Sequence, residues 1–166
     1  MAYVFSVVGS NSNVGKTTLI VEIIKDLKAR GYRVSTIKHD SHDYEIDKEG
    51  KDTWRHRKAG AGTVIISSRS MYTMIRETNE DTPVEQLVAL IDDSSDFIVI
   101  EGYKGSGYPK IEVYRKEASE RQLHRDGTFI AIASNVPDLV ADDLPVLDIN
   151  EPAGIVDFLI KMKQKG

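Results

Sequence analysis

The segment Gly9-Ser10-Asn11-Ser12-Asn13-Val14-Gly15-Lys16-Thr17-Thr18 has residue types in an order that suits one chemistry, the binding of phosphate. It follows an apolar run, Tyr3–Val8. It leads into residues 17–30, where Leu19, Ile20, Ile23, Ile24 and Leu27 recur at helical spacing. A loop between a strand and a helix turns successive backbone N–H groups, and the positive end of the helix, toward an anion. Lys16 adds a charge that can reach terminal phosphates, and Thr17 adds a hydroxyl that can ligate Mg2+. Gly15 lets the backbone approach without a Cβ in the way. The spacing departs from the usual motif, because five residues rather than four separate Gly9 from Gly15. Counting back from Gly15 puts Ser10 at the first-glycine position. The bland reading is a glycine-capped helix start with a solvent-facing lysine, but that does not require Lys-Thr-Thr directly before an apolar helix.

A second segment supplies a carboxylate. Asp96-Phe97-Ile98-Val99-Ile100-Glu101-Gly102 reads as a central parallel strand that ends in an acid. Glu101, at the C-terminal end where parallel-sheet sites form, is placed to serve Mg2+ or an attacking water. Asp96 reads as a loop or turn residue at the other end. Alone, a strand-end glutamate is ordinary; beside a phosphate loop it becomes a candidate functional group.

A third stretch is long, polar and without period. His39, Asp40, His42 and Asp43 could suggest a metal site, but His-x-x-His on an irregular loop lacks a clear third ligand. A mobile loop over Asp40–Asp52 that orders on a phosphorylated ligand fits better, with Lys38, Lys51, Arg55, Arg57 and Lys58 supplying charge. A solvated charged loop and helix is the plain alternative.

These residues need a scaffold, and the rest of the chain describes one. At 166 residues, with 40% hydrophobic and 29% charged residues, the chain suits one globular domain, residues 1–166. Lys+Arg 22 against Asp+Glu 26 leaves a net charge of −4, which argues against broad nucleic-acid binding. There are no cysteines, which excludes disulfides, thiolate metal sites and cysteine nucleophiles. No apolar run approaches a membrane span, and Met1–Phe5 has no basic leader, so a cytoplasmic protein is expected.

Short apolar runs alternate with helical patterns throughout. Strands are predicted at Arg33–Lys38, Phe97–Ile100, Lys110–Arg115, Thr128–Ala133 and Val146–Asp148. A short helix is predicted near Thr53–Ala59. A hairpin follows, from Thr63–Ser68 and Met71–Arg76 joined by Arg69-Ser70. Thr82-Pro83-Val84-Glu85 reads as a capping box with proline at the first helical position, and Asn150 as the cap of a last helix over about 151–163. The fold class is α/β with a mostly parallel sheet.

In combination, Gly15-Lys16-Thr17-Thr18, Ile37–Ala61, Phe97–Arg115 and Ile130–Asn150 resemble the molybdopterin-guanine dinucleotide biosynthesis protein B (MobB) family. The pieces fall in the family's order and span nearly the whole chain. The join of Lys38-His39, Gly50-Lys51-Asp52-Thr53 and Glu101-Gly102-Tyr103-Lys104 is more specific than the phosphate loop alone. The serine- and asparagine-rich loop departs from the family, lacking its extra glycines. The resemblance implies a three-layer P-loop NTPase-type fold with an inserted β-hairpin. It also implies a homodimeric GTP-binding protein with Mg2+ and slow GTP hydrolysis. Such a protein assists a partner enzyme, a molybdopterin guanylyltransferase, in attaching GMP to molybdopterin. Carried over, Ser12, Asn13, Val14, Gly15, Lys16, Thr17 and Thr18 hold phosphates, and Thr17 and Glu101 serve Mg2+. Ser134 and Asn135 approach guanine, and Lys16, Glu101 and Asp40 are the candidate catalytic residues. Because no Asn-Lys-x-Asp signature occurs, GTP over ATP rests on the resemblance. Two other readings stay open. One is an ATP-dependent small-molecule kinase in which Asp40 or Glu101 assists an acceptor hydroxyl, and the other is a non-catalytic nucleotide-binding adaptor.

Overall fold

A computed structural model describes residues 1–40, 46–91, 94–141 and 143–165. His42 and Asp43 lie outside the described residues. The elements in order are β1 (Tyr3–Val8), α1 (Lys16–Ala29), β2 (Val34–Lys38), α2 (Asp52–Lys58), β3 (Thr63–Ser67) and β4 (Tyr72–Arg76). Then come α3 (Val84–Ala89), β5 (Phe97–Glu101), β6 (Lys110–Tyr114), β7 (Phe129–Ser134), β8 (Val146–Asp148) and α4 (Pro152–Lys165). The chain, read from sequence as one domain, divides into two compact units: residues 1–39 with 84–166, and residues 40–83.

The larger unit is built on a six-stranded sheet in the order β2-β5-β1-β6-β7-β8, with every pairing parallel. Side chains alternate across it. Phe97 and Val99, with Phe5, Val7, Ile111 and Val113, pack against α1 through Leu19, Ile23 and Leu27, and against α4 through Ile155, Val156 and Leu159. Ile98 and Ile100 face the other way, toward Ile37 and the α3 residues Val84, Leu87 and Val88. The result is a layer of helix on each face of a parallel sheet. All the strands point one way, so their C-terminal ends share one edge. That edge carries Lys38, Glu101, Tyr114 and Ser134, together with the loop after β1.

β6 has an unusual second face. Ile111 and Val113 join the apolar core, so Lys110 and Glu112 point to the opposite side, and both are fully buried. Glu112 accepts from the Leu123 N–H at 2.7 Å and from Arg125 Nε at 3.0 Å. Lys110 donates to the Ser106 carbonyl and to the Thr128 hydroxyl. The segment 115–128, which has no helix, therefore covers this side of the sheet through a paired buried charge, the condition under which such charges are tolerated.

Two helix starts differ from those expected. α3 starts at Val84, with Pro83 just before it, and its last turn closes by i→i+3 bonds from Leu90 to Leu87 and from Ile91 to Val88. α4 begins at Pro152, so the residue preceding it is Glu151 rather than Asn150. Asn150 instead donates its N–H to Asp148 Oδ1 at 2.8 Å in the turn after β8.

In the smaller unit, β3 and β4 pair antiparallel with Ile65 opposite Met74 and Ser67 opposite Tyr72. The linking turn has no glycine and is closed by Ser68, whose hydroxyl donates to the Met71 carbonyl at 3.0 Å. Val64 is buried, whereas Ile65, Tyr72 and Met74 share the other face and are exposed. Arg57, expected to offer charge to a phosphate, is bound within the unit to Asp47 at 3.3 Å and Glu77 at 3.1 Å. Asp47 also accepts from the Thr53 hydroxyl at 2.7 Å.

Candidate nucleotide-binding site

The loop after β1 takes its shape from three positions. Gly9 stands where a Cβ would come within 2.6 Å of Val14 Cγ2 and 3.3 Å of the Val113 carbonyl, so no larger residue fits without movement. The first-glycine function therefore falls on Gly9 and not on Ser10, and the loop accommodates one residue more than the usual motif. Asn13 (φ 64°) and Gly15 (φ 99°) both take left-handed conformations. Asparagine tolerates that region better than most side chains, and glycine enters it freely. Such alternation turns neighbouring N–H groups to one side as an anion-holding concavity. Val14 is fully buried in the core, so this residue can offer a phosphate only its backbone. α1 opens at Lys16 with no acidic residue in its first turn, leaving its positive end uncompensated.

The two residues expected to serve Mg2+ are in contact with each other. The Thr17 hydroxyl donates to Glu101 Oε1 at 2.6 Å, joining the start of α1 to the end of β5, residues 84 apart in the chain. Among the described residues no group of three or more His, Asp and Glu side chains is gathered as a metal site. Two hard oxygen ligands beside a phosphate loop nevertheless fit Mg2+, which keeps several waters and takes the rest of its shell from substrate phosphates.

Positive charge surrounds that carboxylate. Lys16 Nζ donates to the Asn11 carbonyl at 2.9 Å. Burial lowers the Lys16 pKa; Glu101 opposes the shift, and Lys104 and Lys38 add to it. Lys38 is the register partner of Glu101 on the adjacent strand. Lys104 Nζ donates to the Ser10 carbonyl at 3.0 Å. It reaches there because Gly102 (φ 94°) and Tyr103 (φ 51°) turn the chain sharply after β5. Tyr103 is a non-glycine residue in a left-handed conformation, a strain that clusters at functional sites. Lys16, Lys38 and Lys104 together make a locally cationic mouth in a chain of net charge −4.

The remaining predicted residues lie apart or do other work. Ser12, Asn13 and Thr18 are exposed around the loop. Ser134 is buried at the end of β7 and accepts the Val136 N–H at 3.0 Å. Asn135 Nδ2 donates to both Glu117 oxygens, at 3.0 and 2.9 Å, which holds the Glu117 carboxyl below its usual range. Asp40 is exposed and is the first residue of the smaller unit. The expected site residues did not include Lys104, which reaches the loop at Ser10, or Arg115, whose guanidinium lies beside Gly15. Both stand in the stretch Phe97–Arg115 quoted for the family resemblance, a signal that their segments carried more than strand structure.

Fold and site together define a P-loop NTPase-like α/β protein. Residues 4–135 match the model of the family described as molybdopterin guanine dinucleotide synthesis protein B, and the chain belongs to that family. It is 40% identical over 159 residues to the molybdopterin-guanine dinucleotide biosynthesis adapter protein of Escherichia coli (strain K12), covering 93% of this chain and 90% of that one. The protein of the same name from Haemophilus influenzae is 37% identical over 149 residues, covering 89% and 83%. Among solved structures, Bacillus subtilis MobB aligns with TM-score 0.73 at 26% identity, covering 95% of this chain and 96% of that one. A MobB homologue from Bacillus stearothermophilus aligns with TM-score 0.75 over 99% of both chains; at 21% identity that likeness speaks for the fold.

Proposed function

We propose that this chain is a cytoplasmic, Mg2+-dependent GTP-binding adapter of molybdenum cofactor biosynthesis that hydrolyses GTP slowly. It would assist a molybdopterin guanylyltransferase in forming molybdopterin guanine dinucleotide. The observation that carries the nucleotide reading is the Thr17–Glu101 contact at the mouth of the loop. The pathway role is supported by family membership and by the names of the relatives.

On this reading the amides of residues 12–18 hold the phosphates and Lys16 neutralises their terminal charge. Thr17 and Glu101 would hold Mg2+, which when bound supplies charge neutralisation between phosphates. Glu101 can also orient a water, while Ser134 and Asn135 remain the candidates nearest the base. The word adapter in the relatives' names favours a variant of the same reading, in which nucleotide occupancy rather than turnover is the signal passed to the partner.

The test is calorimetric titration with GTP and ATP, with and without Mg2+, on wild type and Lys16→Ala. GTP binding that needs Mg2+, exceeds ATP binding and is lost in a folded Lys16→Ala protein is the expected result. Equal binding by that variant would contradict the phosphate-loop reading. The homodimer is part of the proposal, supported by the bare face of Ile65, Tyr72 and Met74 on a two-stranded sheet that gains stability from a partner. Light scattering should give twice the 18.5 kDa protomer mass, and a value near 18.5 kDa at micromolar concentration would remove it.

A further inference from the structure

Arg115 follows β6 and is held there by a turn. Its carbonyl accepts the N–H groups of Ala118 at 3.1 Å and Ser119 at 2.8 Å, and its own N–H donates to the Ser119 hydroxyl at 2.9 Å. The turn is in turn fastened to the phosphate loop by Asn11. Asn11 Nδ2 donates to the Ala118 carbonyl at 3.0 Å, and Asn11 Oδ1 accepts the Glu120 N–H at 3.3 Å. Asn11 thus attaches the segment after β6 to the phosphate loop.

So placed, the guanidinium lies against the loop. A Cβ on Gly15 would stand 3.2 Å from Arg115 Nε and 3.9 Å from Cζ and Nη2. The side chain is 26% exposed, and its one ion pair among the described residues is with Glu117, at 3.9 Å and 61% exposed. Among the described residues the guanidinium makes no hydrogen bond. Five planar donors and a permanent charge are therefore held beside a phosphate loop with no acceptor of their own, and a guanidinium fork matches phosphate oxygens in pairs.

We propose that Arg115 is a phosphate ligand of the nucleotide site. It reaches the polyphosphate from the β6 flank, across the loop from the Thr17–Glu101 pair on the β5 flank, and Asn11 is the residue that positions it. β1 lies between β5 and β6 in the sheet, so the two groups approach the same loop from opposite sides. The inference rests on the nucleotide reading above and adds the residue that closes the site on its metal-free side.

The experiment is calorimetric titration of the full chain with Mg2+ and GTP, in wild type, Lys16→Ala, Arg115→Ala, Arg115→Lys, Asn11→Ala and the Asn11→Ala/Arg115→Ala double variant. Circular dichroism melts report folding. Arg115→Ala is expected to weaken GTP about ten- to a hundredfold, the range of a charge-assisted hydrogen bond. Arg115→Lys should recover only part of that, because it keeps the charge and loses the fork. Asn11→Ala should weaken binding severalfold in the wild-type background and not at all once Arg115 is gone, the signature of positioning through that side chain. Wild-type affinity in folded Arg115→Ala would overturn the proposal. If Arg115→Ala does not fold, full affinity in Arg115→Lys would overturn the fork as the binding element. Additive losses would overturn the role of Asn11. No GTP binding by wild type, or none lost in Lys16→Ala, would instead overturn the nucleotide reading itself.

Discussion

The two flanks of the phosphate loop are built on different physics. On the β5 flank, Glu101 and Thr17 meet at an exposed hydroxyl–carboxylate contact at the end of an apolar strand. That contact lies at the exposed C-terminal edge of the sheet. On the β6 flank, the segment 115–128 is pinned from beneath by the buried Glu112–Arg125 pair and from above by Asn11. One flank offers reactive oxygens; the other stores its charge in anchoring and leaves a single guanidinium beside the loop.

The largest expected effect breaks the tightly built side. Glu112→Ala removes the fully buried carboxylate that Arg125, whose side chain is 11% exposed, bonds. Losing one partner of a buried pair costs about 3–5 kcal/mol. Urea unfolding should show that loss. A change under about 1 kcal/mol would mean that the pair does not anchor the segment, since exposed pairs are worth no more than that.

Gly9→Ala strikes the point shared by both flanks. The added methyl meets a buried β-branched side chain and a backbone carbonyl, so strain of about 1–3 kcal/mol is expected, with weaker GTP binding. An unperturbed melting temperature would return the first-glycine role to Ser10.

Glu101→Gln sharpens the contrast by touching only the open side. It should lower Mg2+-dependent GTP hydrolysis about tenfold or more and weaken GTP binding by a smaller factor, because most phosphate contacts come from backbone amides. Unchanged hydrolysis would assign Glu101 to structure.

What the sequence could show follows the same divide. Strands and α1 were legible to within a residue or two, because apolar alternation and helical spacing are local. Glu101 was legible because a carboxylate at the end of an apolar run has one sensible place beside a phosphate loop. The insertion of β5 between β1 and β2 was not, since strand order depends on pairings between residues distant in the chain. Nor was the anchor. Lys110 and Glu112 alternate with Ile111 and Val113 as in any half-exposed strand, and only the segment folded over them makes them buried. The approach of Arg115 to the loop was hidden for the same reason: its neighbour, Gly15, is a hundred residues away.

The smallest effect concerns the end of β5 remote from the site, and it serves as a control. Asp96 accepts the Arg33 N–H at 2.8 Å and its guanidinium at 3.1 Å, and this partner lowers the carboxyl from 3.8 to about 2. A lowered carboxyl stabilises the fold above its unfolded pKa and loses that contribution as pH falls through the folded one. Thermal melts of wild type and Asp96→Asn should differ slightly and constantly above about pH 4, then converge toward pH 2. GTP binding should not change. A gap that persists at pH 2 would contradict the ion pair.

The most direct test of the account is a crystal structure of the full chain with Mg2+ and a non-hydrolysable GTP analogue. The expected result has phosphates on the amides of residues 12–18, metal on the Thr17 hydroxyl with Glu101 beside it, and the Arg115 fork on a phosphate oxygen from the other flank. Nucleotide bound away from the C-terminal edge of the sheet, or metal held without Thr17 and Glu101, would contradict it.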